Sequence, residues 1–201
     1  MSQPDSGPPT RWVAGCVTAQ AALDAALVGL DDATARGPSL LPGWSVGHVL
    51  THIARNAESL IWRLEGAGRG ELRDQYPGGL AQRTADIEDG ATRAAEALTS
   101  DVHRTSAAVE LVMAELPVEA WDAPSRTSRG VVESSRDAVL SRWREVVVHH
   151  GDLGLGPVAL PPDLIGAWLP RELPRLADRA DPALLLSWIV GRGDPPALAA
   201  W

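Results

Sequence analysis

Two histidines four residues apart, His48 and His52, stand in "GWSVGHVLTHIARN" (43–56), and Glu145 and His149 repeat that spacing far downstream in "SRWREVVVHHGDLGLG" (141–156). In a strand, residues four apart are separated by ~13 Å, too far to share a metal ion. On a helix they rise only ~6 Å and point to one side. The three valines 146–148 favour a strand by propensity, but the flanking "SSRDAVLSRWRE" has helical patterning and no breaker. The helix therefore continues to Asp152, with Gly151 and Gly154 available to end it. Ala138, Arg142, Glu145, His149 and Asp152 then form one stripe, and His48, His52, Asn56 and Ser59 another. If the stripes face each other, imidazoles and a carboxylate meet inside a helical bundle, where such groups must pair or coordinate a metal. Two His and one carboxylate with an open position is a catalytic zinc set that also suits iron(II). Spacing alone leaves open whether the histidines are ligands, bases or packed polar residues.

The elements that would carry these stripes are helices. Val13, Cys16, Val17, Leu23, Leu27 and Leu30 lie on one face of a helix expected over Trp12–Leu30. "DDATARGPSLLPG" breaks the pattern. Ser45 is suited to N-cap the next helix, with Trp44 placed to staple onto Val49 and a core stripe of Val46, Val49, Ile53, Leu60 and Leu64. After the loop "GAGRGELRDQYPGG", residues 80–116 keep helical spacing as one long helix or two. "LPVEAWDAPSRTSRG" is the next connection, and a further helix is expected over Val132–Asp152. Residues 154–201 are proline-rich with two shorter helical patterns, and no period-two alternation is sustained anywhere. The expected fold is all-α: a four-helix bundle over 10–153, preceded by a tail (1–9) and followed by a short, mainly helical extension (154–201).

Composition removes several classes of function. With a net charge of −8 and no run of basic residues, nucleic acid is not an expected partner. All 18 basic residues are Arg, so Schiff-base and lysine-base chemistry are excluded. The single Cys16, in an Ala-rich apolar segment, reads as a buried thiol rather than a nucleophile. The apolar stretch at 12–30 is interrupted by Thr18, Gln20 and Asp24, and the opening "MSQPDSGPPT" does not read as a signal peptide. A cytoplasmic protein without a membrane partner is expected. Five of the eight Trp fall in the bundle, while Trp168, Trp188 and Trp201 are expected to pack the extension onto it.

"LLPGWSVGHVLTHIARNAESL", "YPGGLAQRTADIEDGA" and "SRWREVVVHHGDLGLG" together resemble the mycothiol-dependent maleylpyruvate isomerase family of the DinB-like superfamily, over roughly residues 10–155. The resemblance resumes weakly at "LLLSWIVGRGDPP". It implies a DinB-like bundle holding Zn2+, or another divalent metal, on His52, Glu145 and His149. His48 is then a packed neighbour and His150 structural, while Asn56 and Asp152 would orient ligands or the bound cofactor. Arg83 and Arg192 match family arginines whose guanidinium forks would grip substrate carboxylates.

The chemistry so implied uses mycothiol, a small thiol that a metal would hold as thiolate. Its sulfur would add to the double bond of a maleylpyruvate-like dicarboxylate; the bond would rotate and reform trans as the thiol leaves. Arginines would steady the enolate that develops. The protein has no Lys and one buried-type Cys, and it need supply no nucleophile of its own. Better-known isomerases carry a larger mixed C-terminal domain than residues 154–201 provide. The same bundle also suits a mycothiol S-transferase that conjugates electrophiles, and a non-catalytic metal-binding bundle is the alternative outside enzymology.

Overall fold

The computed structural model describes residues 7–198. Most of the tail expected at 1–9, and Trp201, lie outside the described residues. Two compact units divide after Leu160.

In the first unit, α1 (Thr10–Ala26) buries Cys16, Ala19 and Leu23, and Leu27 just beyond its end is buried too. It is shorter than the expected Trp12–Leu30 because the chain turns at Gly29, whose φ of +79° suits glycine. Val17, expected on the apolar face, is 38% exposed. The supposed breaker segment holds a short helix, α2 (Asp32–Arg36), N-capped by Asp31, which accepts from the Thr34 N–H.

α3 (Val46–Gly68) is capped by Ser45 as expected. Its stripe of Val46, Val49, Ile53, Leu60 and Leu64 is buried throughout. The 80–116 pattern resolves into two helices, α4 (Gly79–Ala91) and α5 (Ala95–Glu115), so Leu80 stands exposed. Two glycines let α4 press against α3: a Cβ on Gly47 would strike the Ala91 carbonyl oxygen, and one on Gly90 the Thr51 side chain.

The connection that follows is more ordered than a loop. It contains a 3-10 turn over Val118–Asp122 that buries Trp121, then an antiparallel pair, β1 (Pro124–Arg126) and β2 (Val132–Ser134). The expected Val132 start of the last bundle helix therefore moves to α6 (Ser135–Asp152), where the Ser134 Oγ accepts from the Asp137 N–H. The polar alternation of "SRTSRGVVES" is too short to announce strands before the ends meet. α1, α3, α5 and α6 pack on one another as the four-helix bundle, with Trp143 of α6 lying against Gly15 of α1.

The second unit contains α7 (Pro162–Glu172), a 3-10 turn at Leu173–Arg175, α8 (Leu176–Arg179) and α9 (Pro182–Ile189). Asp181 caps α9 by accepting from the N–H groups of Ala183 and Leu184. Trp188 is exposed. Among the described residues, no helix is long and apolar enough to cross a membrane.

Candidate metal centre

His52 lies two turns into α3, and Glu145 and His149 occupy the last turns of α6. The loop before α3 is tied to the end of α6 by the Leu40 N–H, which donates to the Asp152 carbonyl at 2.8 Å. That bond holds the start of one helix beside the end of the other, and the two stripes meet. His52 Nε2 is 3.1 Å from Glu145 Oε2 and 3.1 Å from His149 Nε2, and the latter two are 3.3 Å apart. A tetrahedral ion with bonds of about 2.0–2.1 Å separates its ligand atoms by roughly 3.3 Å, so the three atoms have the spacing of a tetrahedral ligand set. Side-chain exposure of the three is 6%, 12% and 12%, enough cover to strengthen the site's field.

Each of the three side chains is held from behind. Asp152 Oδ2 is 2.8 Å from His149 Nδ1, leaving Nε2 of that ring for a metal. Arg144 donates to Glu145 Oε1 at 2.6 Å, so Oε2 alone faces the two imidazoles. Arg83, on α4, places Nη2 3.0 Å from His52 Nδ1. Its Nε donates to the Tyr76 hydroxyl at 3.3 Å, and its guanidinium lies over the Tyr76 ring. The Trp44 ring meets the His52 ring edge-on with centroids 5.7 Å apart.

The charges of the metal-free cluster follow from these contacts. Burial would raise the Glu145 carboxyl, but hydrogen bonds and charge from His149 and His52 hold it well below the usual carboxylate range. Burial would lower His149, yet Asp152 and Glu145 lift it to about 9. Burial dominates at His52 and lowers it. At neutral pH the cluster is thus a carboxylate, one imidazolium and one neutral ring. A metal must displace a proton from His149 to enter.

His48 is not part of the triangle. Its Nδ1 accepts from the Ser45 N–H at 3.1 Å, closing a capping box, and its Nε2 is 3.4 Å from Glu88. Trp44 stacks on the His48 ring instead of acting only as an apolar staple. Asn56 touches no ligand: its Oδ1 accepts from Arg142 Nη1 at 2.8 Å, and the same nitrogen donates to the Ile53 carbonyl. His150 is half-buried, its pKa lowered by that burial. Cys16 is buried, with its thiol pushed up to about 12 by burial, which suits the inert reading. Arg192 belongs to the second unit and is exposed, its backbone N–H bonded to the Ser187 carbonyl. Sequence reasoning missed Arg144, Tyr76 and Trp44 as neighbours of the site. Each sits next to a residue that was singled out or inside a quoted motif, but nothing in spacing shows where its side chain goes.

Two histidines and one carboxylate thus converge between facing helices of a four-helix bundle, a set that could hold a metal ion. Residues 16–154 match the mycothiol maleylpyruvate isomerase N-terminal domain family, and the chain belongs to that family. Two solved structures resemble it. A mycothiol-dependent maleylpyruvate isomerase is 20% identical with a TM-score of 0.80, covering 100% of both chains. A mutant of the mycothiol-dependent maleylpyruvate isomerase is 24% identical with a TM-score of 0.72, covering 82% of this chain and 69% of the other. At these identities the likeness is one of fold. No curated protein sequence matches significantly.

Proposed function

We propose that this chain is a zinc- and mycothiol-dependent isomerase of maleylpyruvate-like unsaturated dicarboxylates. The observation that carries the reading is the His52–Glu145–His149 triangle with a guanidinium, Arg83, beside it. His52, Glu145 and His149 would hold the metal from the bundle, residues 10–153, while 154–201 forms the C-terminal region. When bound, zinc would supply an open position at which a thiol is held as thiolate, the nucleophile that reversible addition to a double bond requires.

The chain's own residues do the remaining work. Asp152 keeps the His149 ring turned with Nε2 inward, and Arg144 keeps Glu145 single-pronged. Arg83 offers N–H donors for a carboxylate and for the negative charge that grows on the adjoining enolate. Arg192 is assigned the second carboxylate on its sequence match alone. Asn56 takes a different part from the one expected: it holds Arg142, not a ligand.

Among the described residues three side chains converge, which supports an open site over a purely structural one. An S-transferase would use the same ligands. The deciding experiment is metal analysis of the purified protein, followed by mycothiol titration and an assay with maleylpyruvate. One zinc per chain, proton release on thiol binding and conversion to fumarylpyruvate establish the isomerase. Accumulation of a stable thiol conjugate, without isomerised product, assigns the transferase. A protein indifferent to both metal and thiol overturns the reading.

A further inference from the structure

The contact between Arg83 Nη2 and His52 Nδ1, 3.0 Å long, has a polarity that conflicts with metal binding. A guanidinium has donors only. The bond therefore requires a bare Nδ1 lone pair and puts the single proton of the neutral His52 ring on Nε2. The Nε2–H of His52 and the Nε2–H of His149 then share Glu145 Oε2 as acceptor, 3.1 and 3.3 Å away, with the two nitrogens 3.1 Å from each other. A metal ligated by His52 Nε2 needs the opposite tautomer, with Nδ1 protonated. An N–H would then face an N–H. In metal sites that second nitrogen commonly donates to a carboxylate, carbonyl or water, none of which an arginine can imitate.

We infer that Arg83 and the metal compete for His52, and that metal loading evicts Arg83 from the ring. This inference rests on the metal site proposed above. The protons balance: the Nε2 proton of His52 leaves as the metal enters, Nδ1 takes one up, and the ring stays neutral. Arg83 is not cast loose, because its Nε remains bonded to the Tyr76 hydroxyl and its guanidinium stays over the Tyr76 ring. Only the Nη2 end is freed. Tyr76, the single Tyr of the chain, is thus the pivot, and the Arg83 donors become available to an anion when the metal is in place. Metal and carboxylate binding are then coupled, and by linkage each tightens the other.

The test compares wild type with Arg83→Met, a substitution at a half-buried site on the outer helix α4. Zinc affinity is measured by competition with a chromophoric chelator at pH 7.5, and the His52 ring is read by 15N NMR long-range correlation. Arg83→Met is expected to bind zinc about five- to tenfold more tightly, the worth of one hydrogen bond no longer sacrificed. Relief of charge repulsion would tighten zinc as well, so the ring decides. Metal-free wild type should show a bare Nδ1 on His52, and the zinc form a protonated one. A His52 ring already protonated at Nδ1 without metal overturns the inference, as does zinc affinity unchanged or weakened in Arg83→Met. Failure of wild type to bind zinc at all overturns instead the metal reading beneath it. Wild-type NMR decides the competition even if the variant folds poorly.

Discussion

Asp152 Oδ2 lies 2.8 Å from His149 Nδ1, three residues away on the same helix, and this bond decides which ring nitrogen faces the cluster. It also lifts the His149 pKa, with Glu145 contributing. Asp152→Ala should therefore act on both the metal and the fold. We expect zinc affinity to fall by about 10–100-fold, as for other carboxylates behind a ligating histidine, and the metal-free protein to lose stability at neutral pH, because the pair that raises the His149 pKa is gone. Chelator competition and thermal denaturation separate the two effects. A variant that keeps wild-type affinity would show that the bond does not orient the ligand.

His52→Ala, Glu145→Gln and His149→Ala should each abolish stoichiometric metal, because two remaining side chains do not define a site. His48→Ala should retain it, since that ring caps α3 and pairs with Glu88 outside the triangle. Elemental analysis after dialysis against dilute zinc reads the difference. Loss of metal in His48→Ala together with retention in His52→Ala would reverse the assignment.

Zinc affinity should rise about tenfold per pH unit from pH 6.5 towards 9 and then level off. His149 carries a proton below its pKa of about 9, and a ligand nitrogen must give that proton up. His52 is lowered below its ordinary value, so its proton is already shed over this range. The sign is thus metal bound more tightly as pH rises, with close to one proton released per ion at neutral pH. Calorimetry in buffers of different ionisation enthalpy counts that proton. A count near zero would contradict a charged His149.

Asn56→Ala should weaken the fold and spare the site. It leaves the buried Arg142 guanidinium with the Ile53 carbonyl as the remaining partner of Nη1. Losing a charged-donor hydrogen bond in the interior costs about 1–3 kcal/mol, a drop of several degrees in Tm for a chain of this size. Zinc affinity should stay within about threefold of wild type. A large fall in affinity with unchanged stability would restore Asn56 to the ligand support expected from sequence.

Gly47→Ala should be destabilising by about 1–3 kcal/mol, because its new Cβ meets the Ala91 backbone carbonyl, which a side-chain rotation cannot relieve. Since α4 carries Arg83, the same substitution should shift that residue relative to His52. Denaturant unfolding gives the first effect and the His52 ring resonances the second. Wild-type values for both would show that α4 can back away freely.

The sequence by itself determined the principal helices and the candidate ligands. Helical periodicity around apolar residues such as Val49, Ile53 and Leu60 is strong enough to define α3, and four-residue spacing puts Glu145 and His149 on one face whatever surrounds them. Family motifs then separated His52 from His48, a choice that spacing alone could not make. The break at residues 92–94 within the 80–116 pattern and the two three-residue strands were beyond reach, because such short local features are settled by contacts distant in the chain. Only the tertiary structure decided the partners of the site. Asn56 and Asp152 are equivalent on their stripes, yet Asn56 grips Arg142 while Asp152 grips His149. Arg83, backed by the Tyr76 hydroxyl, reaches His52 because glycines at 47 and 90 let α4 press onto α3. Periodicity reports which face a residue occupies; hydrogen bonds form over about 3 Å, and that distance is set by how closely whole helices pack.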